Sequence, residues 1–93
     1  MHDNIRKFID TYESSYDKLN GVLVFKNTKV YDTDFASINF IDNIFYFEFN
    51  DDRFEDFKVN VGSIKDITFD SMDDIQCVYL ELINGDKISV FCM

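Results

Sequence analysis

From Asp3 to Leu19 the apolar residues recur at Ile5, Phe8, Ile9, Tyr12, Tyr16 and Leu19. Spacings of three and four draw a single stripe along a helix. Arg6, Lys7, Asp10, Glu13 and Asp17 fall on the opposite, water-facing side. Asp3 stands where a carboxylate caps the first amides, Arg6 and Asp10 form an opposite-charge pair one turn apart, and Asn20-Gly21 supplies a left-handed stop. The pattern predicts a helix over residues 3–19.

After Gly21 the period becomes two, and residues 22–93 read as β-rich. Val22 to Lys26 and Lys29 to Tyr31 form a first pair of runs around Asn27-Thr28. A two-residue turn at Asp42-Asn43 sets a second hairpin, with Phe40 facing Phe45, Ile38 facing Phe47 and Ala36 facing Phe49 on one side. Ser37 then pairs with Glu48 and Asn39 with Tyr46 on the other, and a one-residue slip destroys this separation. Ile41 opposite Ile44 breaks the rule. Asn50 to Asp56 reads as an exposed loop, after which Phe57, Val59 and Val61 point one way. Gly62 marks a bulge or bend, Ser63 to Asp66 a single turn, Ile67 and Phe69 resume the alternation, and Asp70 to Asp74 reads as a second acidic loop.

Two registers compete at the C-terminal end. A three-residue loop at Ile83-Asn84-Gly85, with Gly85 left-handed, sets Leu80 against Ile88, Val78 against Val90 and Glu81 against Lys87. A two-residue turn at Asn84-Gly85 sets Cys77 opposite Cys92 but places Leu82 against Lys87. The first register segregates polar from apolar side chains, so Cys77 and Cys92 are expected on opposite faces as free thiols. A chain without a secretion signal points the same way.

One helix followed by about six antiparallel strands defines an α+β fold, a helix closing one side of a curved sheet or small open barrel. The run from Phe57 to Phe69 and the final hairpin resemble, in pattern only, small barrels of the SH3-like or PH-like kind. A chain of 93 residues makes one domain, residues 1–93. Its hydrophobic content of 46%, with 11 phenylalanines and 5 tyrosines, supplies a core. The absence of proline leaves every strand position open to a sheet interior. No apolar run reaches the roughly 20 residues of a membrane span, so a soluble, cytoplasmic protein is expected.

Charge changes the picture most. Residues 1–33 hold five acids and five bases, which leaves the whole net charge of -9 on residues 34–93. Such a surface repels nucleic acid and anionic lipid and attracts basic protein surfaces. The acids fall in two groups, Asp51, Asp52, Glu55 and Asp56, then Asp70, Asp73 and Asp74. Neither has the spacing or central glycine of a calcium loop, so no metal site is expected. His2 is the sole histidine, at the chain start and without a neighbouring ligand or nucleophile, and Gly21, Gly62 and Gly85 are too isolated to cradle a phosphate. No catalytic residue or cofactor is assigned. The tyrosines lack the lysines and arginines that flank base-stacking platforms.

The expectation is therefore a non-enzymatic binding protein whose carboxylates stand in for phosphates. Its partner is a protein with a basic nucleic-acid-binding groove, met by Asp51, Asp52, Phe54, Glu55, Asp56, Asp70, Asp73 and Asp74, with Phe54 as an apolar anchor. In size and charge the chain is similar to phage-encoded anti-defence inhibitors, anti-CRISPRs among them, and to immunity proteins against nuclease toxins. A monomer or homodimer is expected, and the alternative function is a structural or assembly module that pairs with a copy of itself or with another chain through an exposed final strand running to Met93.

Overall fold

The computed structural model describes residues 2–16, 22–31, 36–49 and 51–92, with the side chains at positions 2, 14–16, 22 and 36 also left aside. Helix α1 (His2–Tyr16) is followed by β1 (Val22–Lys26), β2 (Lys29–Tyr31), β3 (Ala36–Ile41), β4 (Ile44–Phe49) and β5 (Phe57–Asn60). A 3-10 turn (Val61–Ser63) leads into β6 (Ile64–Met72), β7 (Ile75–Leu82) and β8 (Lys87–Cys92). These strands form two open antiparallel sheets, one ordered β2-β1-β8-β7-β6 and the other β3-β4-β5. The fold is α+β as expected, with eight strands in place of about six, and the short runs read at Lys29–Tyr31 and from Phe57 are both strands.

The helix buries its predicted stripe. Ile5, Phe8 and Tyr12 are buried and Ile9 packs beside them, while the exposed Arg6 and Asp10 pair at 3.9 Å. The helix begins at His2, so Asp3 lies inside the first turn, where its charge favours the positive end of the helix dipole. The predicted Tyr16 and Leu19 contacts and the Asn20-Gly21 stop fall outside the described residues.

Turn chemistry sets the registers. Asp42 and Asn43 both take positive φ, 53° and 64°, and this type I′ geometry matches the strand twist and aligns all six β3–β4 pairs as predicted. Gly85, at φ 95°, completes the three-residue loop that sets Leu80 on Ile88 and Val78 on Val90. Asn27 takes φ 55° and is tied to Lys87 in both directions: its backbone amide donates to the Lys87 carbonyl, and its side-chain oxygen accepts from the Lys87 amide. The turns β1–β2 and β7–β8 are thereby fastened together. The expected loop over Asp70 to Asp74 is not one. Asp73 adopts φ 54°, so Asp73-Asp74 alone turns the chain and Met72 pairs with Ile75. The expected turn at Ser63 to Asp66 also differs, since the 3-10 turn comes earlier and β6 starts at Ile64, with a register shift between Ile64 and Asp66.

The two sheets and α1 share one core. Val24, Val78, Leu80, Ile88 and Val90 come from one sheet, Phe45, Phe47, Phe49 and Val59 from the other, and Phe8 from the helix, its ring 5.0 Å from that of Phe45. Tyr31 stacks on Phe49 at 4.6 Å and carries β2 onto the three-stranded sheet. Cys77 and Cys92 are both buried free thiols on opposite faces, as the register requires.

Two of the four sheet edges are engaged by specific groups. At β3 the Ile38 amide donates to the Tyr12 hydroxyl at 3.1 Å, so the helix covers that edge. On the long edge strand β6 the Ile67 and Ser71 amides donate to the carboxylates of the preceding residues, Asp66 at 3.0 Å and Asp70 at 2.8 Å. Strand β8, expected as the exposed edge, lies between β1 and β7.

Candidate functional site

The acids predicted as one site occupy opposite flanks of the molecule. The loop after β4 packs against β2, where the Phe54 ring lies 5.4 Å from Tyr31 and 6.3 Å from Phe49. Asp70, Asp73 and Asp74 belong to the β6–β7 hairpin on the far edge of the same sheet. Four inter-strand steps, about 19 Å, separate those edges. The predicted set is therefore two clusters.

The first cluster is largely used within the fold. Asp51 receives the Arg53 backbone amide at 2.9 Å and holds the Arg53 guanidinium at 2.6 Å. The Arg53 side-chain hydrogen bonds, followed by its backbone amide, pull the Asp51 carboxyl down to about 2. Asp56 accepts from the Phe49 amide at 2.8 Å and fixes the loop to β4. Phe54 is half-buried against the core and so is committed to packing. Cations stand among the neighbouring rings: Arg53 over Phe54 at 5.2 Å, Lys29 over Tyr31 at 5.0 Å and Lys26 over Phe57 at 4.8 Å. Only Asp52 and Glu55 project freely into solvent, and the local field is diluted.

The second cluster is stronger than predicted. Between Lys65 and Lys87 the chain carries Asp66, Asp70, Asp73, Asp74, Glu81 and Asp86 and no base. Asp66 and Asp70 share one face of β6, four residues or about 13 Å apart, and Asp73-Asp74 extends the row at the hairpin tip. Lys65 reaches Glu81 at 3.7 Å, Lys87 lies opposite Glu81 in the register and Lys7 stands over the Phe69 ring at 4.4 Å, while among the described residues Asp73 and Asp74 at the hairpin tip make no ion pair.

These acids border a second apolar surface. On the side of the five-stranded sheet away from the core, Leu23 faces Phe91, Phe91 faces Cys77, and Phe25 lies beside Val30 and Ser89. Phe91 meets Phe25 edge-on at 5.4 Å and Tyr79 at 6.1 Å. Val30 is 41% exposed and Met72 54% exposed. The neighbouring Cys77 side chain first, then burial and the negative charge of Asp70, raise the proton affinity of the Tyr79 phenol above its ordinary range.

Asp66, Glu81 and this face lie outside the set of site residues expected from the sequence. Two signals carry them: the base-free stretch 66–86, and the unbroken apolar runs Val22-Leu23-Val24-Phe25 and Val90-Phe91-Cys92, which load both sides of a strand.

A groove of about 480 Å³ lies between α1 and β3, lined by Phe8, Ile9, Tyr12, Ile38, Phe40 and Phe45 among others. The Tyr12 hydroxyl inside it is engaged by the Ile38 amide. No three His, Cys, Asp or Glu side chains gather as a cation site among the described residues. Nor is any described helix long and apolar enough to cross a membrane. No family model, curated protein or solved structure matches the chain.

Proposed function

We propose that this chain is a small, acidic, non-enzymatic inhibitor acting in the cytoplasm. It occupies the basic groove of a nucleic-acid-handling protein and presents carboxylates where that groove receives phosphates. The observation that carries this reading is the β6–β7 hairpin, whose acids from Asp66 to Glu81 have no base interspersed. Long-range attraction between such a hairpin and a cationic cleft accelerates encounter and weakens as salt screens it. The Asp51–Asp56 loop has a minor part, because Arg53, Lys26 and Lys29 stand within it or beside its rings.

The test is a capture experiment with the immobilised protein and a bacterial lysate. A retained partner is expected to leave when duplex DNA is added or salt is raised, and reversal of Asp70, Asp73 and Asp74 to lysine should slow its association about ten- to hundred-fold. A partner that stays bound under saturating DNA and also binds the reversed variant contradicts the proposal. Assembly through a strand edge is the weaker reading, since β8 is internal and β6 has aspartates bound to its outward amides.

A further inference from the structure

We infer that the outer face of the five-stranded sheet is a docking surface for a cationic, apolar-tipped segment of a partner protein. The inference rests on the inhibitor reading and adds to it where the partner sits and why it stays. Leu23, Phe25, Val30, Tyr79, Phe91 and Met72 form the floor, running from β2 to β6. Among the described residues, α1 and the three-stranded sheet both lie against the opposite side, through Phe8, Tyr31 and the core valines. The half-buried outer aromatics are not part of that core.

Three observations select the occupant. The rim is anionic: Asp66, Asp70, Asp73, Asp74 and Glu81 border the floor along β6 and β7, against Lys65, which reaches Glu81 at 3.7 Å, and Lys87, which lies opposite Glu81 in the register. An incoming apolar side chain flanked by lysine or arginine satisfies floor and rim together. The size is that of a segment. Five strands about 4.8 Å apart and about five residues long give a floor of roughly 400 Å². Stable interfaces take about 800 Å² from each partner, so this floor alone falls short of a dimer. A second copy also brings a further net charge of -9 against the same rim. The rim therefore governs arrival and the floor governs residence.

The test uses two synthetic probes of equal charge, an oligolysine and an amphipathic lysine-leucine peptide, each titrated into the intact protein and followed by NMR. The amphipathic peptide is expected to bind at least about ten-fold more tightly. Its shift changes should map to Leu23, Phe25, Val30, Met72, Tyr79 and Phe91. Val30→Ser with Met72→Gln, both neutral changes at exposed positions, should remove that advantage and leave oligolysine binding unchanged. Equal binding of the two probes overturns the docking face while leaving the acidic hairpin intact. Failure of both to bind counts against the inhibitor reading as well. Shifts confined to Ile38, Phe40 and Ile41 in the α1–β3 groove, or a salt-insensitive dimer of the unliganded protein in sedimentation, overturn this inference alone.

Discussion

Single side chains decide where this chain is rigid and where it is charged. Phe8 is fully buried and its ring meets Phe45 at the junction of the helix and the three-stranded sheet. Phe8→Ala should cost about 3–5 kcal/mol, read as a lower urea midpoint at unchanged slope. Asp51 shows the opposite economy, an exposed-loop carboxylate held by its own neighbour. Its folded value of about 2 lies below the ordinary 3.8, so whatever stability the Asp51–Arg53 contact contributes is full above 3.8 and is lost as pH falls through about 2. A carboxyl NMR titration should place the Asp51 midpoint near 2, and Arg53→Ala should return it toward 3.8. An unchanged midpoint in the variant removes Arg53 as the cause.

Between residues and fold stand the turns and edges, and here the sequence was most legible. Asp42-Asn43 and Gly85 announce their hairpins because positive φ is cheap only for such residues, and both registers follow from the turn together with the apolar alternation. The same logic misplaced Asp70 to Asp74. Acids depress strand propensity in isolation, yet Asp70 stands in β6 because Met72 pairs with Ile75 and the turn needs only Asp73-Asp74. The final strand differs for another reason: sequence position at the end of a chain says nothing of position in a sheet, and β8 lies between β1 and β7, apolar on both sides only over Val90-Phe91-Cys92. Asp66 and Asp70 act on the edge that does exist, accepting from the Ile67 and Ser71 amides. The double substitution Asp66→Thr, Asp70→Thr should free those donors and promote self-association. Sedimentation velocity at neutral pH should then show concentration-dependent dimers absent from the parent protein, and a strictly monomeric variant contradicts edge protection by these carboxylates.

At the scale of the whole molecule, composition announced an anionic protein but not its geometry. The two acidic groups lie far apart in the fold because β2 and β6 are opposite edges of one sheet, and strand order is a long-range property that local spacing does not encode. What remains is an asymmetric object, with a shared core on one side of the five-stranded sheet and, on the other, an aromatic floor beside a base-free acidic hairpin. Hydroxyl-radical footprinting of the protein with and without its captured partner tests that asymmetry most directly. Oxidation of Met72, Phe25, Tyr79 and Phe91 should fall in the complex, while Phe54 in the β4–β5 loop and Ile41 beside the α1–β3 groove should stay as reactive as before. Protection of Phe54 or Ile41 with Met72 and Tyr79 unchanged would place the partner elsewhere and contradict the account.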